Sequence, residues 1–139
     1  MRFSLCKRAV VFTLVAVGIA WEMASPGLAA EKGFPYEQEM LLDARPMKGS
    51  KRVPMMEVMR RGDAKIDLWC NSVQAQFVVV DDTITVIPGT KSTEQCVPER
   101  VRGDDDLLGA LLAVTQWQRS GDVLTLRGPK SLKFRASTH

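Results

Sequence analysis

A two-residue alternation of apolar and polar side chains recurs between Met55 and Phe134, and it leaves a chain of this kind few architectures to adopt. In the stretch Ala64 to Asn71, Ala64, Ile66, Leu68 and Cys70 share one side, while Lys65, Asp67, Trp69 and Asn71 share the other. Successive side chains of a strand point to opposite faces, so this stretch is expected to be a half-buried strand with Cys70 on its apolar side. The next stretch repeats the pattern. Ala75, Phe77 and Val79 alternate with Gln74, Gln76, Val78 and Val80, Asp81-Asp82 supplies a turn, and Thr83 to Ile87 returns with Ile84 and Val86 on one face. β-Branched residues on both sides of a short polar turn predict a hairpin. Pro88-Gly89 is expected to end it, because proline has no N–H for a ladder, and Thr90 to Glu99 then forms the loop that holds Cys96.

The rest of the chain fits around these strands. Residues 31 to 38 read as a tail, a first strand is expected around Glu39 to Asp43, and Arg45 to Pro54 (RPMKGSKRVP) is a polar loop. Met55 to Met59 reads as a strand and Arg60 to Asp63 as a turn. Asp104, Asp105 and Asp106 precede Leu107, Leu108, Leu111 and Leu112, an apolar stripe at helical spacing whose leading acids suit the positive end of a helix dipole. Then follow Trp117 to Arg119, the turn Ser120-Gly121-Asp122, the strand Val123 to Leu126, the turn Gly128-Pro129-Lys130 and a last strand Leu132 to Arg135. The expected class is mainly β: a small antiparallel barrel-like or coiled sheet of about seven strands, with one α-helix plugging an end.

Arg2, Lys7 and Arg8 precede an apolar run, Ala9 to Ala20, and small residues follow at Ser25, Gly27, Ala29 and Ala30. This is the layout of a bacterial export signal cleaved after Ala29 or Ala30. The run is shorter than the about 20 residues a spanning helix needs, so no membrane span is expected after cleavage. Residues 31 to 139 remain as one domain, expected in the periplasm or outside the cell. Cleavage also removes Arg2, Lys7 and Arg8 against Glu22, and with them most of the +3 formal charge. A nearly neutral exported chain gives no reason to expect nucleic acid as a partner.

Cys6 leaves with the signal, and Cys70 and Cys96 stay. In an oxidising compartment two cysteines read first as one disulfide, which by loop-closure entropy would stabilise the fold by roughly 3 to 4 kcal/mol. Two unpaired buried thiols, or thiol or metal chemistry, are the alternatives. A thiol nucleophile wants a histidine or cation beside it, and the sole histidine is His139. A zinc site wants four ligands. Neither catalytic residues nor a cofactor or metal site can be named from the residues. Asp104 to Asp106 lacks the alternating spacing of a calcium loop and reads as a helix cap. Arg45, Lys48, Lys51 and Arg52 read as a solvated loop before they read as an anion site. Met55, Met56 and Met59 read as core filler before they read as Cu(I) ligands.

Several of these residues fall in a recognisable order: Cys70-Asn71, then Ala75 and Phe77, Ser92 and Cys96, Asp104 through Leu108, Leu111, Trp117, Gly121-Asp122, Leu124, Leu126, Leu132 and Phe134. The series resembles the META, or HslJ-like, domain, with Trp69 and Ala75 where that pattern has glycines and Ser92 where it has threonine. The motif positions shared with it are Cys70, Asn71, Phe77, Cys96, Trp117, Asp122, Leu124 and Phe134. The resemblance implies a small β-rich domain of exported bacterial proteins associated with stress or antibiotic tolerance, with no catalytic activity or cofactor to carry over. The expected function is that of a non-catalytic envelope protein acting through contacts with a protein partner. The alternative is a secreted inhibitor of a lysozyme- or protease-type hydrolase, with Arg45 to Pro54 as its contact loop.

Overall fold

A computed structural model describes residues 33–138. The expected signal and its cleavage sites, and His139, lie outside the described residues. Eight strands and one helix follow in order: β1 (Met40–Leu42), β2 (Met55–Val58), β3 (Asp63–Asp67), β4 (Ser72–Val80), β5 (Thr83–Lys91), α1 (Pro98–Leu112), β6 (Gln116–Ser120), β7 (Val123–Arg127) and β8 (Leu132–Ala136). Each strand pairs antiparallel with the next, and β1 returns to β8 through Met40 opposite Ala136 and Leu42 opposite Phe134, closing a barrel. The stretch Trp117 to Arg119 is therefore the middle of a full strand.

Alternation puts one side chain in two inside this barrel, and eight strands enclose just enough room for side chains to fill. Met40, Met56, Ile66, Val73, Phe77, Ile84, Leu124, Leu126 and Phe134 fill it, each at most 2% exposed. Leu107 and Leu111 of α1 join the same core, so the helix plugs one end. Phe34 is also buried and meets Trp117 edge-on at 5.3 Å, so the segment expected as a tail is packed against the barrel. Of the three neighbouring methionines only Met56 is in the core; Met55 is half-buried and Met59 exposed.

Three boundaries differ from expectation, each for a physical reason. The strand that begins at Asp63 ends at Asp67, and Leu68 to Asn71 form a turn in which the Leu68 N–H donates to Asn71 O at 2.7 Å. Cys70 is thus half-buried in that turn and does not sit on a strand's apolar face. Pro88-Gly89 does not end β5, which runs on to Lys91 across a register shift opposite Val73 and Ala75. The Ile84 N–H is turned toward Thr115 O, so by alternation the Pro88 nitrogen faces the same side. There β5 pairs with β6 only through Thr83 and Gln116, so Pro88 removes no ladder bond. Finally, α1 begins at Pro98, six residues before the acidic run. Proline at the first helical position lacks a donor that would have no partner there in any case. Asp104 to Asp106 are mid-helix and cap nothing.

Candidate functional site

The turn Leu68 to Asn71 aims the N–H groups of Cys70 and Asn71 at α1, and Asp104 meets both. The Cys70 N–H donates to Asp104 Oδ1 at 2.9 Å, and the Asn71 N–H to Oδ2 at 2.8 Å. The Asn71 side-chain amide adds a third bond to Oδ2, at 2.9 Å. Asp104 has no exposed surface and Asn71 only 6%; they are the two buried polar residues of the described chain. A carboxylate in such a place costs stability unless its oxygens accept hydrogen bonds, and three donors reach them, one at Oδ1 and two at Oδ2. The other end of Asn71 is equally engaged: its Oδ1 accepts from the Glu94 N–H at 2.7 Å and the Ser92 hydroxyl at 3.3 Å. Ser92 Oγ in turn accepts from the Ser72 N–H at 3.0 Å.

Cys70 and Cys96 are joined in a disulfide, with Cα atoms 6.1 Å apart. The turn after β3, the loop after β5 and the middle of α1 are thus held by one covalent bond and one network centred on Asn71. Asp104 was legible only as one of three equivalent acids, and its burial singles it out. Pro98-Glu99 was the available signal that the helix starts early enough to bring it inside.

Two clefts adjoin this clamp. One, of about 450 Å³, is walled by Arg52, Lys65, Trp69, Cys70, Glu94 and Arg100. The other, of about 350 Å³, is walled by Met47, Trp69, Gly103, Asp106, Lys130 and Lys133. Trp69 stands between them and lies over Gly103, where a Cβ would come within 2.8 Å of the indole Cδ1 and would also strike Met47 Cε. The loop Arg45 to Pro54 borders both clefts. It is moored to the helix by the Arg100 guanidinium, which donates to Gly49 O at 2.9 Å, and by Met47 over Gly103. Arg45, Lys48, Lys51 and Arg52 on this loop are exposed.

The structure divides the motif residues into three groups. Cys70 and Asn71 meet Asp104 at the clamp, and Cys96 is bonded to Cys70. Phe77, Leu124 and Phe134 are core. Trp117 and Asp122 lie elsewhere: the Trp117 indole N–H donates to Asp81 O at 2.9 Å, and Asp122 is exposed in the turn between β6 and β7.

The clamp, the barrel order and the closing strand pair run through almost the whole described chain, and the META domain family model matches residues 32–138. The chain belongs to the META domain family. Two solved structures share the META fold seen here. One, an NMR structure of a protein, is 13% identical with a TM-score of 0.55, covering 71% of this chain and 88% of its own. The other, an NMR structure of a protein from Burkholderia xenovorans, is 16% identical with a TM-score of 0.60, covering 75% and 84%. At these identities the likeness speaks to the fold alone. No curated protein matches this META chain significantly.

Proposed function

We propose that this META protein is a non-catalytic component of the bacterial envelope that acts under stress by contacting other proteins. The observation that carries this reading is the engagement of Asp104: both its oxygens accept hydrogen bonds from the Cys70–Asn71 turn, so the one buried carboxylate among the described residues is spent on architecture. A general acid or base needs a free lone pair or proton facing a substrate, and what the chain turns outward is instead a moored, cation-bearing loop. The disulfide supports a place in an oxidising compartment. No helix of the described residues is long and apolar enough to cross a membrane.

Photo-crosslinking in cells tests the reading, with the reactive side chain placed in turn at Lys51, Lys130 and Gln118. Discrete protein adducts at one face are expected; no adduct at any position, together with turnover of an envelope polymer by the pure protein, would refute it. A second reading, inhibition of a hydrolase, is favoured by the mooring of the Arg45 to Pro54 loop, since a preorganised loop loses little entropy on entering an active site. Removing Lys48 to Lys51 should then abolish inhibition of the captured enzyme.

A further inference from the structure

The charges around the two clefts do not balance. Lys65 lies 3.7 Å from Asp67, and Arg135 lies 3.4 Å from Asp43, so these acids are already matched. Among the described residues, no ion pair engages Arg52, Arg100, Lys130 or Lys133, which wall the clefts, or Arg45, Lys48 and Lys51 on the shared loop. Against the four of these cations that wall them the clefts set two unmatched acids, Glu94 and Asp106, and the loop adds three further cations at their border. Arg52 and Arg100 stand on one side of Trp69, and Lys130 and Lys133 on the other. The buried Arg100 Nε has no acceptor among the described residues, and the Gly49 bond fixes its guanidinium in place.

We infer that the two clefts act as one groove for an extended acidic segment of a protein partner, with carboxylates toward Arg52 and Arg100 at one end and Lys130 and Lys133 at the other. An apolar side chain between them packs on Trp69 and Met47. This rests on the protein-contact reading and names its surface and the chemistry of its partner. Concavity and the apolar middle argue for a polypeptide: a planar anionic bilayer cannot enter the clefts, and a free anion has nothing to place on the indole. Arginine presents a fixed fork that matches a carboxylate, which suits it to the end where it stands.

Emission from Trp69 reports on the groove directly when Trp21 and Trp117 are replaced by Phe in the full chain. The probe is a five-residue peptide with a leucine between two acidic pairs, titrated at low ionic strength, where exposed charges are least screened. A saturable change in Trp69 emission is expected, with affinity about tenfold weaker, or more, for the Gln and Asn counterpart of the peptide. Arg52→Gln with Arg100→Gln should weaken binding by about tenfold. Lys130→Gln with Lys133→Gln, both exposed and outside the clamp, should weaken it about fivefold and guards against an effect on folding. Arg61→Gln, in the turn between β2 and β3, should change nothing.

Equal affinity for the neutral peptide, no saturable response, or the same response to sulfate or to phosphatidylglycerol vesicles alone would overturn the proposal. Crosslinks confined to Gln118 would overturn it too while leaving the protein-contact reading in place, whereas adducts nowhere would remove that reading itself.

Discussion

Replacing Asp104 gives the sharpest test of how the helix is seated. Its carboxylate accepts three hydrogen bonds at 2.8 to 2.9 Å in a place with no solvent exposure. Asp104→Ala leaves three donors without acceptors, and a buried unsatisfied donor costs about 1 to 3 kcal/mol. Water entering the space left by the carboxylate recovers part of this, so we expect a loss of about 4 kcal/mol. That is about a quarter to four-fifths of the stability of a domain whose whole reserve is about 5 to 15 kcal/mol. Asp104→Asn keeps one oxygen for Asn71 but turns an amide N–H toward the Cys70 N–H, and should cost about 2 to 3 kcal/mol. Asp105 has an exposed side chain paired with Lys91 at 3.0 Å, and Asp106 is exposed, so Asn at either should cost at most about 0.5 kcal/mol. Urea unfolding with the disulfide intact measures all four variants, provided the slope is unchanged. Had the acids capped a helix starting beside them, the three Asn variants would lose similar small amounts; equal midpoints for the three would refute the clamp.

Three further substitutions probe the supports around it. Reducing the Cys70–Cys96 bond, or replacing both cysteines with Ser, should lower stability by about 2 to 4 kcal/mol, read as a shift of the urea midpoint with reductant that the double Ser variant no longer shows. Gly103→Ala should lose about 1 to 2 kcal/mol although alanine is the better helix former, because its Cβ meets Met47 and the Trp69 ring; adding Trp69→Ala should recover part of this in a double-mutant cycle, and strict additivity would show that the two do not touch. Gly62 has a φ of 90° and its missing Cβ would strike Phe77 O, so Gly62→Ala should cost more than about 2 kcal/mol, and an unchanged melting temperature would contradict that contact.

Where alternation governs burial, the sequence was legible. Ala64 and Ile66, Phe77, Ile84 and Val86, Leu124 and Leu126, and Leu132 and Phe134 all face inward, because a closed barrel offers each strand one wet and one dry side. Legibility fails where a polar group is buried with its partners. Asp104 interrupts the stripe that continues through Leu107 and Leu111, so periodicity counted on apolar residues starts the helix too late. Its donors belong to a turn 33 and 34 residues away in sequence, and nothing local marks that turn as facing a helix. Pro88 misleads for a different reason: a proline ends a strand only when the nitrogen it occupies was owed to a neighbour, and here the neighbouring edge is open. Asn71 was singled out by its place in the motif, but two of its polar contacts depend on Asp104 of α1 and two on Ser92 and Glu94 arriving from beyond β5.

Arg100, Asp104, Leu107 and Leu111 follow one another at intervals of four, three and four residues, so they lie along one face of α1. The face therefore carries three duties in sequence: Leu107 and Leu111 fill the barrel end, Asp104 fixes the helix against the turn after β3, and Arg100 holds the loop that borders both clefts. Rotating or sliding the helix by one residue would take Asp104 from its donors and Arg100 from Gly49 O together, so the clamp that seats the helix also sets the spacing of the groove walls. The two roles still rest on different atoms. Asn71 and Asp104 have every side-chain polar atom engaged inside and present nothing to a partner, whereas the side chains of Arg52, Lys130 and Lys133 are exposed and, unlike the Lys133 backbone in β8, hold no bond that the barrel needs. Stability and recognition should accordingly separate by substitution, with loss at the clamp appearing as unfolding and loss at the cations appearing as weaker binding by an intact fold.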